Sequence, residues 1–213
     1  MREQVERSYR EREPILNDTA KLVEDEIREA LRGIPHVDRV SCRAKSLPSF
    51  IGKAFDAKNN PPYADPLSEI EDQVAARVIV FFLSDIDVIR EKLLRTFNPV
   101  EAWRRRPARD EEFGYESAHL LCVLPPHLKT AAWIARDDMP TTIELQVRTI
   151  FMHAYAEPQH DTGYKAAHEL PSDIRRELAW IAASAWGADH AYQRFWAWYE
   201  QREARPASPD SAA

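Results

Sequence analysis

The sequence predicts an α/β (α+β) fold, in which a β-sheet is flanked by helices and helical extensions stand at both ends. Two observations carry this prediction. The segment 75–83 (AARVIVFFL) is apolar on both faces, which is typical of a strand at the centre of a covered sheet. Strand and helix patterns alternate around it, and both ends of the chain repeat apolar residues at helical spacing.

The composition is that of a soluble globular protein. With 213 residues, 44% of them hydrophobic, the chain can bury a core. Its net charge of −6 argues against a dedicated nucleic-acid-binding protein, although a local basic site is compatible with it. No apolar run reaches the ~20 residues that cross a bilayer, and the first residues lack the apolar core of a signal peptide. We therefore expect a cytoplasmic protein with no membrane partner.

The elements are expected in a fixed order. Residues 1–35 form an acidic helical extension, whose apolar spacing starts after Pro14 and stops at Gly33. A domain at 36–168 follows, with strands at 37–45, 75–83, 117–124 and 141–148 and helices at 47–58 and 84–96. C-terminal helices span 169–203, and their tryptophans are expected to pack into the core. The tail 204–213 is expected to be disordered.

The chain has five glycines and neither a P-loop nor a GxGxxG turn, so a nucleotide enzyme would have to neutralise phosphates with side chains and metal. The segment 43–53 suits that task. Arg43 and Lys45 are two apart on a strand and share a face, and Ser49 and Lys53 are four apart on the next helix. Taken alone, this pattern favours a solvated basic edge.

One carboxylate occurs on an expected strand and another just before the central one. Glu144, Gln146 and Arg148 alternate with apolar residues and share one face, which is either a solvent-exposed surface or a cleft. Asp72 precedes the central strand, five residues before Arg77. Asp72 and Glu144 would suffice for Mg²⁺, which takes one or two carboxylates beside substrate phosphates. A turn or helix cap would equally explain Asp72.

Two further clusters follow the central strand. Gly114 permits a turn, after which Tyr115, Ser117 and His119 share a strand face where they can stack a base and hydrogen-bond to it. The segment 160–165 (HDTGYK) favours a buried polar pair that supports the core.

In order and spacing these clusters resemble the RelA/SpoT synthetase family, over about residues 40–165. The matches are to RxKxxxSxxxK, to an Asp followed five residues later by Arg, to GYxSxH, to ExQxRT and to AE-x-x-H-x-x-x-YK. The matching residues are Arg43, Lys45, Ser49, Lys53, Asp72, Arg77, Gly114, Tyr115, Ser117, His119, Glu144, Gln146, Arg148, Thr149, Ala156, Glu157, His160, Tyr164 and Lys165.

The resemblance implies a nucleotidyltransferase-like mixed β-sheet flanked by helices. Two departures stand out. Pro158 is expected to interrupt the helix that carries the last motif, and the charged run 104–112 replaces a shorter, lysine-bearing approach to GYxSxH. The second departure affects the expected contacts to the acceptor.

The resemblance also implies roles for the donor side. Arg43 and Arg77 would sandwich the adenine of ATP by guanidinium stacking. Lys45, Ser49 and Lys53 would hold its phosphates.

The metal and acceptor sides follow from the same resemblance. Asp72 and Glu144 would bind Mg²⁺, with Mn²⁺ as an alternative, and Glu144 would also be the catalytic base. Tyr115 would stack on the acceptor base. The other expected acceptor contacts are Ser117, His119, Gln146, Arg148 and Arg109, and the expected supporting residues are His160, Tyr164 and Lys165.

The expected activity is transfer of a diphosphate from ATP to the 3′-hydroxyl of GDP or GTP, which makes (p)ppGpp and releases AMP. The chain has no room for the hydrolase and regulatory domains of long family members, so a small stand-alone synthetase is expected. The alternative is a toxic synthetase that modifies the 3′ end of tRNA, or makes adenine alarmones, and is neutralised by an antitoxin. A non-catalytic nucleotide-binding module is a third reading, and a homo-oligomer is compatible with all three.

The run Arg104, Arg105 and Arg106, with Arg109, bears on this choice. It would meet an RNA backbone or the 5′-phosphates of GDP, or form a solvated loop. The acidic net charge favours the mononucleotide.

Overall fold

The computed structural model describes residues 1–57, 61–109, 112–161 and 170–203, without the side chains of 159–161. The helices are α1 (Arg2–Ala30), α2 (Leu47–Ala54), α3 (Pro66–Glu69), α4 (Leu83–Thr96), α5 (Ala131–Ile134), α6 (Ile150–Asp161) and α7 (Ser172–Glu203), with a 3₁₀ turn at Pro126–Leu128. The strands are β1 (Val37–Ala44), β2 (Val74–Val80), β3 (Asn98–Arg105), β4 (Ser117–Val123) and β5 (Thr142–Thr149).

The five strands form one mixed sheet in the order β1-β2-β5-β4-β3. β2 and β5 are parallel and central, and the other neighbours are antiparallel. Val74, Val78 and Val80 of β2 are buried, as the apolar run predicts for a covered central strand. The mixed sheet flanked by helices confirms the predicted fold class.

The N-terminal helix is longer than its apolar spacing indicates. It begins at Arg2 and runs through Pro14. Tyr9, before that proline, is fully buried and stacks on Phe50 of α2 with ring centroids 3.9 Å apart. Its hydroxyl donates a hydrogen bond to the Lys45 carbonyl at 2.6 Å. Packing on both sides of Pro14 therefore outweighs the lost backbone hydrogen bond, and α1 braces the β1–α2 turn.

The strand β3 was not expected. Its last two residues, Arg104 and Arg105, lie in the segment that the sequence analysis treats as a charged connection. Every residue of β3 is exposed, because the strand forms the edge of the sheet. An exposed edge strand has no alternation of polar and apolar residues that would reveal it, and charged residues there are common because they discourage edge-to-edge pairing.

The C-terminal helix differs from expectation in its aromatic residues. Trp180 is 72% exposed and Trp198 is 55% exposed. Trp196 does pack, stacked on Phe82 with centroids 4.8 Å apart. Trp186 is also exposed, at 39%. The prediction that the tryptophans join the core is thus wrong for Trp180, Trp186 and Trp198. The buried positions of α7 are instead small or polar, namely Ala182, Ala185 and Asp189.

Three further features concern a proline, the two cysteines and the C-terminal tail. Pro158 does not interrupt α6, which continues to Asp161, so only the last turn loses a backbone donor. Cys42 and Cys122 are both free thiols, and burial raises the pKa of each to about 12. The predicted disordered tail 204–213 lies outside the described residues. Within the described ranges, no helix combines the length and apolar character needed to cross a membrane.

Candidate active site

One face of the sheet carries most of the predicted functional side chains. Arg77 of β2 pairs with Gln146 of β5, which pairs in turn with His119 of β4. Arg43 of β1 and Glu144 of β5 both lie opposite Ala75 of β2, which is two residues before Arg77. Because residues opposite one another in paired strands share a face, the register brings residues 25 to 103 positions apart in sequence onto a single surface.

The donor-side lysines converge on Asp72, which lies in the turn before β2. Lys45 Nζ lies 2.7 Å from Asp72 Oδ2, and Lys53 Nζ lies 2.9 Å from Asp72 Oδ1. Burial disfavours the charged carboxylate, but the two ammonium groups outweigh it and hold the Asp72 pKa below its ordinary value. Asp72 therefore pairs with two ammonium groups and does not cap a helix, and the two lysines line cavities beside it.

Two cavities meet at Asp72. The smaller, of about 30 Å³, is lined by Arg43, Lys45, Ser49 and Asp72 among others. The larger, of about 160 Å³, is lined by Lys53, Asp72 and Glu144, together with Trp103 of the edge strand. The basic segment and the carboxylate strand, each ambiguous by itself, thus line neighbouring cavities that share Asp72, and Glu144 faces a cleft.

Glu144 is held by a short chain of hydrogen bonds. His119 Nδ1 lies 2.6 Å from Glu144 Oε1, and Ser117 Oγ lies 2.5 Å from His119 Nε2. Since a carboxylate only accepts, His119 donates from Nδ1 to Glu144, and its Nε2 is within hydrogen-bond distance of the Ser117 hydroxyl. Ser117 and His119 are 5% and 4% exposed, so they lie beneath Glu144. Their predicted contact with the acceptor stays a prediction.

A second network joins β2, β5 and α6 through Glu157. Arg77 Nη1 donates to both Glu157 oxygens, at 2.9 and 2.6 Å, and Arg148 Nη2 donates to Glu157 Oε2 at 2.9 Å. Burial disfavours the charged Glu157, but the two guanidinium groups outweigh it and lower its pKa. Arg148 also donates to His153 Nδ1 at 2.7 Å. The network fixes the plane of the Arg77 guanidinium, which a stacking role requires.

Tyr115 lies at the edge of this network. Arg148 Nη1 donates to its hydroxyl at 3.4 Å, and the guanidinium carbons of Arg105 and Arg148 lie 5.6 and 5.7 Å from the ring centroid. These are cation–π distances. Arg148 is only 3% exposed and contacts Tyr115. Its predicted contact with an acceptor stays a prediction.

The remaining predicted residues fall in three groups. Gln146 is half-buried on the site face between Arg77 and His119. Arg109 is exposed and lies 3.8 Å from Glu112, away from the cavity lining. His160 lies in α6 without a described side chain, and Tyr164 and Lys165 lie outside the described residues. The supporting role predicted for these last three stays a prediction.

Sequence reasoning missed Trp103. It stacks on His119 with ring centroids 5.3 Å apart and lines the larger cavity beside Glu144. Its signal was hidden because the edge strand was not recognised. Had β3 been paired with β4, the register would have put Trp103 directly opposite His119.

The residues present fit a divalent cation. Asp72 and Glu144 reach the same cavity, and carboxylate oxygens are the ligands that Mg²⁺ prefers. Two carboxylates match the number it usually takes beside substrate phosphates. Asp72 would release its lysines in that case, because both of its oxygens are now paired with them.

The family can now be stated. Residues 42–169 match the family model described as the region found in RelA / SpoT proteins. This match covers more than half of the chain, which belongs to the RelA/SpoT family. A curated relative is GTP pyrophosphokinase YjbM of Bacillus subtilis (strain 168), 29% identical over 147 residues. The alignment covers 67% of this chain and 64% of YjbM, so less than two thirds of the relative is represented.

Solved structures share the fold. The small alarmone synthetase 1 of B. subtilis superposes with a TM-score of 0.69 at 21% identity, covering 86% of this chain and 95% of that one. The same enzyme bound to its product pppGpp gives a TM-score of 0.65 at 22% identity. Bound to AMPCPP it gives 0.61 at 20% identity. At these identities the likeness establishes the mixed-sheet architecture.

Proposed function

We propose that this protein transfers the β,γ-diphosphate of ATP to the 3′-hydroxyl of GDP or GTP, making (p)ppGpp and releasing AMP. The observation that carries the proposal is the shared cavity of Glu144 and Asp72, with Lys53 beside them, in a chain of this family. The curated relative is named a GTP pyrophosphokinase, and the structural neighbour has been captured with pppGpp and with AMPCPP.

Glu144 is proposed as the base. One of its oxygens accepts from His119 at 2.6 Å, which leaves the other to receive the proton of the acceptor 3′-hydroxyl. The deprotonated oxygen forms a bond to the β-phosphorus of ATP. The bond from that phosphorus to the α,β-bridging oxygen breaks, and AMP leaves with the electron pair. Ser117 and His119 keep the carboxylate aimed throughout.

The donor side supplies charge. Lys45 and Lys53, now paired with Asp72, would exchange it for the phosphates of ATP. Mg²⁺ held by Asp72 and Glu144 would neutralise the charge on the transferred diphosphate. Arg43 and Arg77 would hold the adenine between them, with the Arg77 plane fixed by Glu157. Catalysis is then positioning and charge neutralisation, as in other phosphoryl transfers.

Trp103 and Tyr115 are proposed as aromatic contacts for the acceptor. The Trp103 ring stacks on the His119 ring. The Tyr115 ring lies edge-on to His119, and the centroids of these two rings are 6.1 Å apart. Both rings contact His119, the hydrogen-bond partner of the proposed base Glu144, and Trp103 lines the same cavity as Glu144, where an acceptor nucleoside must present its 3′-hydroxyl. Stacking on such rings is worth ~1–3 kcal/mol per base.

A second candidate is a tRNA 3′ end as acceptor, with an antitoxin partner. The observation in its favour is the edge strand β3, which presents Arg104 and Arg105 on an exposed surface next to Tyr115. The net charge of −6 weighs against it. We therefore keep the mononucleotide as the proposal.

The deciding experiment is label transfer. The protein is incubated with Mg²⁺ and with β- or γ-labelled ATP, and separately with GDP, GTP, unlabelled ATP and deacylated tRNA. The proposal requires both labels to appear together on GDP or GTP, with AMP released in equal amount. Label on tRNA alone selects the second candidate. Absence of transfer to every acceptor, with ATP binding retained, would leave a nucleotide-binding module.

A further inference from the structure

The strongest unexplained feature outside the site is a buried carboxyl on the C-terminal helix. Asp189 of α7 is only 3% exposed, and its Oδ2 accepts a hydrogen bond from Thr149 Oγ1 at 2.7 Å. Among the described residues, its Oδ1 has no partner. Burial of a half-satisfied carboxyl opposes folding, so its presence calls for a function. Asp189 also lies beyond residues 42–169, the part that matches the family model.

Thr149 joins two working parts of the site. It is the last residue of β5, the strand that carries Glu144, and it directly follows Arg148. Its Oγ1 also accepts from the Met152 backbone N–H at 3.1 Å, which satisfies a free donor at the start of α6. That helix carries Glu157, the partner of Arg77 and Arg148. One hydroxyl thus sets the angle between β5 and α6.

The geometry points to Asp189 as a positioning residue: through Thr149, it holds the β5–α6 junction so that Arg148 and Glu157 keep Tyr115 and Arg77 in place. A hydroxyl has a single hydrogen. Thr149 donates it in the hydrogen bond to Asp189, so the Thr149 oxygen is free to accept from the Met152 N–H. Without Asp189 the hydroxyl can turn away and loosen the cap. Residues that touch nothing reactive but orient those that do commonly matter 10–100-fold.

The effect should fall on Tyr115 and Arg77, the two groups that Arg148 and Glu157 hold, and should spare the lysine cluster. The Lys45–Asp72–Lys53 cluster is built on β1, α2 and the turn before β2, and is braced by Tyr9 of α1. None of those contacts passes through α7. The kinetic part of this inference rests on the proposed function, because the KM of an acceptor can be measured only if the protein transfers diphosphate to it.

The test compares three variants of the full chain. Asp189→Leu removes the acceptor of the hydrogen bond, Asp189→Asn keeps one, and Asp173→Leu makes the same change at an exposed site of the same helix. Asp189→Leu should raise the acceptor KM or lower kcat by about 10-fold, and it should weaken binding of an ATP analogue by no more than Arg77→Ala does, because Arg77 is the donor-side residue that Glu157 holds. Asp189→Asn should stay within about 2-fold of wild type, and Asp173→Leu should match it.

A second pair covers the case in which Asp189→Leu does not fold. Thr149→Val removes the hydroxyl at constant shape and should reproduce the acceptor defect, whereas Thr149→Ser should restore activity. Amide exchange at Met152 should quicken in Thr149→Val and not in Thr149→Ser, a readout that needs no activity. Loss of ATP-analogue binding greater than that of Arg77→Ala, or wild-type kinetics in Asp189→Leu and Thr149→Val, would overturn the inference. If the wild type transfers no label, the proposed function fails while the exchange result still judges the Asp189–Thr149 link.

Discussion

The two halves of the candidate site are held together by different forces. In the half made by β1 and α2, two lysines pair with one carboxylate, and their side chains are 15% and 34% exposed. In the half made by β4 and β5, buried neutral and charged groups form chains of hydrogen bonds, and His119 and Arg148 are almost wholly inaccessible. The first half can exchange partners at little cost, whereas the second is built before any ligand arrives.

This difference matches the tasks proposed for the halves. A donor nucleotide brings its own negative charge, so Lys45 and Lys53 need a carboxylate to occupy them until it binds. The base Glu144 must instead stay aimed at one point, and a fixed His119 serves that need. Changes in the first half should therefore act on ATP binding, and changes in the second on turnover or on the acceptor.

The largest expected effect is at the base. Glu144→Gln keeps size but removes the negative charge, so turnover should fall by at least ~10²-fold, as losses of a general base typically do. The melting temperature should stay close to that of wild type, because the isostere fills the same space. Glu91→Gln, an exposed carboxylate on α4, is the matched control. Label transfer measures both variants, and near wild-type turnover of Glu144→Gln would remove this residue from its role.

A smaller effect separates the two halves directly. Arg77→Ala should weaken binding of a non-hydrolysable ATP analogue, because stacking on adenine is worth ~1–3 kcal/mol, and Arg43→Ala should behave alike. Tyr115→Ala and Trp103→Ala should leave that affinity nearly unchanged and raise the KM of the acceptor. Calorimetry with the analogue, using the exposed Arg95→Ala as control, decides the matter. Loss of analogue binding in Tyr115→Ala would show that the halves are wrongly divided.

The sequence predicted the residues of the donor half, made by β1 and α2, more completely than those of the acceptor half, made by β4 and β5. The spacing of Arg43, Lys45, Ser49 and Lys53 along one strand and helix is local, and the structure puts three of them with Asp72 around one small cavity. The central strand was equally readable, because burial on both faces leaves a continuous apolar run.

The acceptor half could not be read in the same way. Its contacts are set by sheet register, such as Trp103 opposite His119, and by helix α7, which approaches from far along the sequence. Asp189 gave no signal, since one carboxylate on an amphipathic helix resembles a solvated one. The exposed tryptophans of α7 were wrongly predicted to be buried. Their apolar character favours a core position, but it does not show which face of the helix makes contacts.

The halves should also respond to pH in opposite directions. Asp72 has a lowered pKa, so the stability it contributes is lost only as pH falls through that value. Burial raises the pKa of Asp189 to about 6, with Glu116 adding to the rise and Thr149 and His190 opposing it. A raised acid pKa means that the folded state holds the proton more tightly. Stability from Asp189 is thus full below pH ~4 and declines until about pH 6.

Asp189→Asn isolates this contribution, since the amide does not titrate. The difference in free energy of unfolding between variant and wild type should grow by ~1–3 kcal/mol from pH 4 to pH 7. Urea unfolding at several pH values measures it, and the difference cancels the other carboxyls. A pH-independent difference would mean that Asp189 is ionised normally in the folded protein.

The smallest effects are expected at the exposed edge, and they decide the acceptor. If it is GDP or GTP, only one or two of Arg104, Arg105, Arg106 and Arg109 can reach its 5′-phosphates. Arg105 is the first choice because it already lies 5.6 Å from the Tyr115 ring, whereas Arg104 pairs with Asp87 and Arg109 with Glu112. Single Arg→Ala changes should then raise the KM of GDP a few-fold at Arg105 and be silent at Arg109.

If the acceptor is instead a tRNA end, all four arginines should contact its phosphates and contribute to binding. Each neutralised phosphate contributes about one unit to the slope of log affinity against log salt, and somewhat less on single strands. Reversal of all four to Glu would flatten that slope and abolish tRNA labelling, while binding of the ATP analogue would persist, since β3 forms the edge of the sheet farthest from β1. A salt slope near zero for GDP, together with one sensitive arginine, is the result that the mononucleotide proposal requires.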